Sequence, residues 1–222
     1  AFLVSPFAPQ AVEGADRHGR SSAGPAGKQP DIQVTIHPWD KLGRWPVGTL
    51  VATVELCYIL PRSRGEVKLR SDKAADNVLF YGSYLSHPQD LAALSWGVDV
   101  VRDIMGTQPM AGMVEKELLP GAAVTSEEEK SDFIRCLRTD KRHKCDSSVL
   151  PNQHLTGTAR LGDLETDETA VVGADFGVRG VDRLRVADAS VLRLLPSGNS
   201  HASCMMIGER AAEEILKGRR VD

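Results

Sequence analysis

Three features of the sequence predict an α+β fold, an antiparallel sheet backed by helices. Short segments between residues 31 and 70 alternate polar and apolar side chains. Two later stretches repeat apolar residues at helical spacing. A glycine-punctuated C-terminal part ends in a further helical pattern.

Ala1 to Pro9 holds a short apolar run, and Gln10 to Pro30 is rich in Gly, Ala, Ser and charge, the composition of a loop. Asp31 to Ile36 alternates with the period of a half-buried strand. Thr49 to Leu56 continues in that style, with β-branched Val51, Thr53 and Val54. Arg64-Gly65 turns into a third alternating segment, Glu66 to Arg70. Short connections and one polar face per strand favour antiparallel pairing of the three.

Pro88 opens the clearest helix, with Leu91, Leu94, Val98, Val101 and Met105 on one face and Gly106 as its stop. A second helix begins near Ser126, where Thr125 with Glu128, or Ser126 with Glu129, has capping-box spacing; Phe133, Ile134 and Leu137 form its apolar side. From Pro151 onward, Gly157, Gly162, Gly173, Gly177, Gly180 and Gly198 break the chain into turns. Arg183 to Ala187 has the pattern of a strand that runs into Asp188-Ala189-Ser190. The last helix starts after Asn199 or Ser200, both good N-caps, carries Met206, Ile207, Ala211 and Ile215, and ends near Lys217-Gly218.

The chain has 222 residues, 41% hydrophobic and 26% charged, enough for one large or two modest domains with a substantial core. A net charge of −3 and a pI near 6.1 argue against a nucleic-acid binder. The local basic cluster Arg135, Arg138, Lys141, Arg142 and Lys144 is read as a solvated helix end. The cysteines Cys57, Cys136, Cys145 and Cys204 form no C-x-x-C pair, which argues against zinc. Cys136 and Cys145 are either two free thiols, the favoured reading in a chain that is not cysteine-dense, or a disulfide in an oxidising compartment. No apolar run approaches a membrane span, and no signal peptide is expected.

Two histidines stand apart. His154 lies in 152–162 (NQHLTGTARLG) and His201 in 197–202 (SGNSHA), each in a turn rich in Gly, Ser, Thr or Asn. Such loops carry function more often than core segments do, and imidazole exchanges protons near neutral pH. Two of them facing one substrate can handle a proton. His87, before a proline at a helix start, is expected to cap that helix. His18, His37 and His143 fall in polar loops and receive no role. A metal shared by His154 and His201 is not expected, because no carboxylate or cysteine at suitable spacing completes a ligand set. Met205-Met206 is expected in the core.

Three blocks of sequence, in order, resemble the C-terminal part of the glucose–methanol–choline (GMC) family of flavin oxidoreductases. The first is 61–69 (PRSRGEVKL) with 84–91 (YLSHPQDL), the second 154–162 (HLTGTARLG), and the third 180–190 (GVDRLRVADAS) with 199–202 (NSHA) and 205–212 (MMIGERAA). Arg160-Leu161 departs mildly from the family's more frequent arginine or lysine with methionine. The resemblance implies a substrate-binding domain over residues 1–150. It also implies a C-terminal segment, 151–222, that carries the catalytic histidines and completes a Rossmann-like FAD-binding domain. The glycine-rich Gly-x-Gly-x-x-Gly turn that cradles the FAD pyrophosphate is absent from this sequence. The chain is therefore expected to work with an N-terminal FAD-binding half, in the same parent chain or a companion subunit, and to be inactive without it.

By the same resemblance, His154 is the base that takes the hydroxyl proton of a primary or secondary alcohol while hydride leaves for flavin N5, and His201 hydrogen-bonds the same oxygen. Asp188 and Ala189 contact FAD where a strand ends. Ser200, His201 and Ala202 place a helix N-terminus at the pyrimidine edge of the flavin, where its free N–H groups and partial positive charge favour developing negative charge. The sequence leaves two alternatives. One is a non-catalytic assembly or interaction subunit derived from the family. The other is a lyase or decarboxylase of the same fold; by the resemblance the decarboxylases lack a histidine matching His154 and carry a cysteine in the substrate domain, for which Cys57 is out of register, so the histidine pair favours alcohol oxidation.

Overall fold

The structure, a computed structural model, describes residues 1–9, 29–41, 43–135, 149 and 152–217. The expectations for the loop at 10–28, for Cys136, Cys145, His18 and His143, and for the basic cluster beyond Arg135 lie outside the described residues. The chain divides into two compact units: Ala1–Gly65 with Gly82–Leu150, and Glu66–Tyr81 with Pro151–Asp222.

In the first unit, β1 (Phe2–Leu3), β2 (Ile32–His37) and β3 (Thr53–Tyr58) form an antiparallel sheet in that order. The alternation in β2 turns Ile32 and Val34 inward, where both are buried, and the register sets Val34 opposite Leu56. His37, expected in a loop, is the last residue of β2, and its Nε2 lies 2.9 Å from Glu55 Oε2 across the strand pair.

Helix α1 (Pro88–Met105) has the predicted limits and the predicted cap: His87 Nδ1 accepts the Gln89 N–H at 3.2 Å. Its buried face differs from the expected one. The fully buried residues are Asp90, Ala93, Ser95 and Gly97, while Leu91, Leu94, Val98, Val101 and Met105 are half-buried. Closeness explains this. A Cβ at Gly97 would sit 3.4 Å from Ile32 Cδ1 and from Leu56 Cδ1. The helix lies on the sheet where only Ala93 and Gly97 fit, and larger apolar groups such as Trp96 and Val101 flank the contact.

Asp90 is 2% exposed, and its carboxylate accepts the Arg62 N–H at 2.9 Å and the Ser63 N–H at 2.8 Å. Ser63 Oγ in turn accepts the His87 N–H at 3.0 Å. One buried side chain therefore pins 61–65 (PRSRG) against the start of α1, the two parts of the first sequence block. Burial of Tyr58, together with the Asp31 and Asp90 carboxylates, pushes its phenol up to about 12, so this corner stays uncharged at the ring.

Helix α2 (Glu127–Arg135) opens on the Ser126–Glu129 capping box, one of the two expected. Ser126 Oγ accepts the Glu129 N–H at 3.1 Å, and Glu129 Oε2 accepts the Ser126 N–H at 3.1 Å. Lys130, 2% exposed, ties α2 to α1 by pairing with Asp99 and Glu127, and Ser95 Oγ donates to Glu127 Oε2 at 2.6 Å.

In the second unit, Glu66 to Arg70 does not join the β2–β3 sheet. Residues Glu66–Lys68 form β4, which pairs antiparallel with β5 (Leu79–Tyr81), a strand too short to show an alternating pattern of its own. This hairpin groups with residues 151–222 rather than with the sheet that precedes it. The segment 183–187 is not a strand either. One isolated bridge links Arg185 to Gly177, and Leu184 is half exposed. Alternation alone does not make a strand: Arg183 is left-handed, with φ of 58°, so the segment starts in a turn, and its pairing is limited to Val178 N–H to Leu184 C=O and Val186 N–H to Phe176 C=O. The unit is closed by α3 (His201–Lys217), which buries Ile207 and Ala211 against Val172, Phe176 and Val191. Met205 and Met206, expected in the core, are 64% and 61% exposed, and Ile215 is exposed as well; only the face one turn apart, 207 and 211, turns inward.

Two outcomes are expected from the first unit. Asp90→Ala strands two backbone donors and costs about 1–3 kcal/mol, read as a lower urea midpoint. The Glu127 carboxyl is held below its ordinary range, first by Lys130 and then by the Ser95 hydroxyl. A depressed carboxylate contributes stability above its unfolded value and loses it as pH falls through the folded one. Thermal midpoints should therefore drop on the acid side, below about pH 5, and Lys130→Met should make that drop shallower.

Candidate active site

His154 sits on a loop whose backbone is set by its neighbours. Gln153 before it and Gly157 after it are both left-handed, with φ of 55° and 87°. At Gly157 the conformation suits glycine, and a Cβ there would lie 3.2 Å from the Leu192 carbonyl oxygen. Two amides then fasten the loop to the neighbouring segment: Ala159 N–H to Ser190 C=O at 3.0 Å, and Leu161 N–H to Val191 C=O at 2.9 Å. Val191 is itself a core residue.

The far side of the loop is held by charge. The Arg179 guanidinium donates to three carbonyl oxygens, Leu164 at 2.5 Å, Asp167 at 2.7 Å and Ala170 at 3.1 Å. Arg160 Nη2 donates to Asp167 Oδ1 at 3.2 Å. The Thr169 hydroxyl and N–H, followed by the Arg160 and Arg193 charges, hold the Asp167 carboxyl below its usual range. Nothing in the sequence pattern singles out Arg179, because its three acceptors are backbone atoms brought together only by the fold.

The structure brings His154 to the start of α3. Ser200 Oγ lies 3.2 Å from His154 Nδ1, across 46 residues of sequence. His154 is half-buried and His201, the first residue of α3, is exposed. The first intrahelical bond runs from Cys204 N–H to Ser200 C=O at 2.9 Å. Among the described residues, the N–H groups of His201, Ala202 and Ser203 have no acceptor, and the first turn holds no acidic side chain. This end of the helix is therefore open to an anionic or hydrogen-bond-accepting group.

Asp188 and Ala189 are placed by a short 3-10 turn, Ala189–Val191. The exposed Asp188 carboxylate caps it by accepting the Ser190 N–H at 2.8 Å, and the Ser190 hydroxyl and amide hold that carboxyl below its usual range. The Ala189 N–H has no acceptor among the described residues. Ser200 and His154 lie in different sequence blocks, and their contact across 46 residues has no local signal.

A shallow groove of about 1070 Å³ runs elsewhere on this unit, between α3 and the turns at 161–165 and 173–176, with Leu164, Phe176, Leu192 and Met206 among its walls. Neither histidine lines it, so the groove and the histidine site are separate features. Among the described residues no group of three His, Cys, Asp or Glu is placed to hold a metal ion, and no helix is long and apolar enough to cross a membrane.

A family model described as GMC oxidoreductase matches residues 61–208. The chain belongs to the GMC oxidoreductase family. It is 36% identical over 170 residues to an alcohol dehydrogenase [acceptor] of Pseudomonas putida, covering 77% of this chain and 28% of that protein. It is 36% identical over 197 residues to an oxygen-dependent choline dehydrogenase of Sinorhizobium fredii, covering 86% of this chain and 33% of that one. Among solved structures, the pyridoxine 4-oxidase from Mesorbium loti superposes with a TM-score of 0.71 at 27% identity, over 86% of this chain and 35% of that chain. The chain thus spans about a third of the length of the relatives it matches. GMC oxidoreductases are FAD-dependent enzymes.

Gly157→Ala is expected to cost ~1–2 kcal/mol through the left-handed backbone alone. The loss should be visible as faster amide hydrogen exchange at Ala159 and Leu161, whose bonds to 190 and 191 close the loop.

Proposed function

We propose that this chain is the C-terminal part of an FAD-dependent alcohol oxidoreductase in which His154 is the base and His201 orients the alcohol. The observation that carries the proposal is the contact between Ser200 and His154, which sets the two histidine-bearing turns side by side. Membership in a family with alcohol and choline dehydrogenases among its relatives supports the same chemistry.

The work left to these residues is simple. Hydride departs far more readily from an alkoxide-like carbon than from a neutral alcohol. His154 takes the hydroxyl proton on a ring nitrogen as the O–H bond breaks, and the oxygen's electron pair becomes the new C=O bond. FAD, when bound, supplies the acceptor, at N5, for the hydride that leaves the same carbon. His201 donates a hydrogen bond to the alcohol oxygen and holds it where the transfer is in line. A placed general base contributes about 10² to 10⁴ in rate, and fixing the oxygen adds an orientation effect.

The donors present fit one part of an FAD site. The open N–H groups of His201, Ala202 and Ser203 and of Ala189 would hold hydrogen-bond-accepting atoms of the flavin, and Asp188 shapes the turn that presents the last of them. The pyrophosphate cradle is not in this sequence. The coverage of about a third of each relative accords with an N-terminal FAD-binding half as the partner, in the parent chain or in a companion subunit. Residues 1–150 would then serve substrate binding, and the substrate is a small-molecule alcohol.

In flavin-containing protein mixed anaerobically with a primary alcohol, His154→Ala is expected to slow flavin reduction by about 10² to 10⁴ with unchanged flavin content. Unchanged reduction kinetics would remove His154 from the mechanism. Native protein that lacks flavin absorbance, and gains none with an FAD-binding partner, would favour a non-catalytic relative.

A further inference from the structure

We propose that Ser200 is a positioning residue for His154, accepting its Nδ1–H and so keeping Nε2 as the basic nitrogen. This rests on the reading of His154 as the base.

A neutral imidazole carries one proton on two nitrogens, and the partner of one nitrogen decides the state of the other. Ser200 Oγ is 3.2 Å from Nδ1. Among the described residues Nε2 has no hydrogen-bond partner, and the Ser200 hydroxyl has no other. A hydroxyl can serve Nδ1 in either direction. If it donated, the ring proton would sit on Nε2, and that nitrogen could not accept a proton. If it accepts, Nδ1 keeps the proton and Nε2 offers its lone pair. Only the second arrangement yields a base, and it also stabilises the imidazolium that forms when the substrate proton arrives.

Ser200 is well placed to hold this contact. Its carbonyl is tied into the first turn of α3 by the Cys204 N–H, so its backbone moves with the helix. The helix is anchored six and ten residues further on, by Ile207 and Ala211, which are 4% and 5% exposed. The hydroxyl does not cap the helix among the described residues, although serine at this place ordinarily would. His154 is held from its own side by the left-handed Gln153 and Gly157. Two rigid segments thus meet at one hydrogen bond.

The test uses the flavin-containing full-length protein with histidine labelled in ¹⁵N. At a pH where His154 is neutral, the wild type should show Nδ1 protonated and Nε2 bare. Ser200→Ala should redistribute the proton toward Nε2 and slow flavin reduction by alcohol about 10-fold, with little change in KM, the scale of one lost hydrogen bond. Ser200→Thr, which keeps the hydroxyl, should restore the wild-type ring pattern and most of the rate. An unchanged ring pattern in Ser200→Ala, with reduction still slowed in His154→Ala, overturns the positioning role and leaves the base intact. A Ser200→Thr variant as slow as Ser200→Ala also overturns it. Reduction unaffected in His154→Ala overturns the base reading, and the positioning role with it.

Discussion

The packing of one helical face decides where the chemistry of the C-terminal unit can occur. Ile207 and Ala211, one turn apart, enter a core made by Val172, Phe176 and Val191. Burying a side chain the size of isoleucine is worth roughly 1.5–3 kcal/mol, and the close packing of such a core allows few alternative registers. A helix advances about 1.5 Å per residue. A slip of α3 by one position would carry Ser200 out of reach of His154 and would turn Ile207 toward solvent at the same time. The contact at the candidate site and the burial of the core are therefore settled by the same register. Val191 joins them further, since it is both a core residue and the acceptor for the Leu161 amide that closes the His154 loop.

Among the described residues, the buried polar groups of the first unit are all paired. Asp31 accepts from Ser5, Asp90 from the amides of Arg62 and Ser63, and Lys130 pairs with Asp99 and Glu127. Such groups add little net stability compared with well-packed apolar groups of similar volume, but breaking one leaves a stranded partner at high cost. They specify the arrangement more than they strengthen it. The Asp90 clamp shows why two stretches some twenty residues apart belong to one sequence block: the aspartate in the first turn of α1 satisfies the backbone of 61–65 (PRSRG), a turn that would otherwise bury unpaired amides.

Much of this was legible in the amino-acid order. The limits of α1, the His87 cap, the Ser126–Glu129 box and the start of α3 depend on local chemistry: proline in a first turn, side chains that satisfy free N–H groups, residues that stop a helix. Those rules act over a few residues and survive in any context. The inward face of α1 was not legible, because it follows from how closely the helix approaches Ile32 and Leu56, and there small residues displace the larger ones that periodicity selects. The segment 183–187 alternates as a strand does, yet its first residue, Arg183, takes a left-handed turn conformation that a strand cannot include. Met205 and Met206 are apolar and adjacent, but a helix can turn only one stripe inward.

The sequence by itself determined which helices form, that His154 lies in a polar, glycine-bearing turn, that His201 stands at the start of the last helix, and that the blocks are those of the GMC family. Each of these depends on residue identity and short-range spacing. Only the tertiary structure decided that Ser200 meets His154, that Arg179 gathers three carbonyl oxygens, and that the β4–β5 hairpin leaves the β2–β3 sheet. Contacts across 46 residues, like that between His154 and Ser200, are set by which apolar faces bury together, and no local pattern encodes that choice.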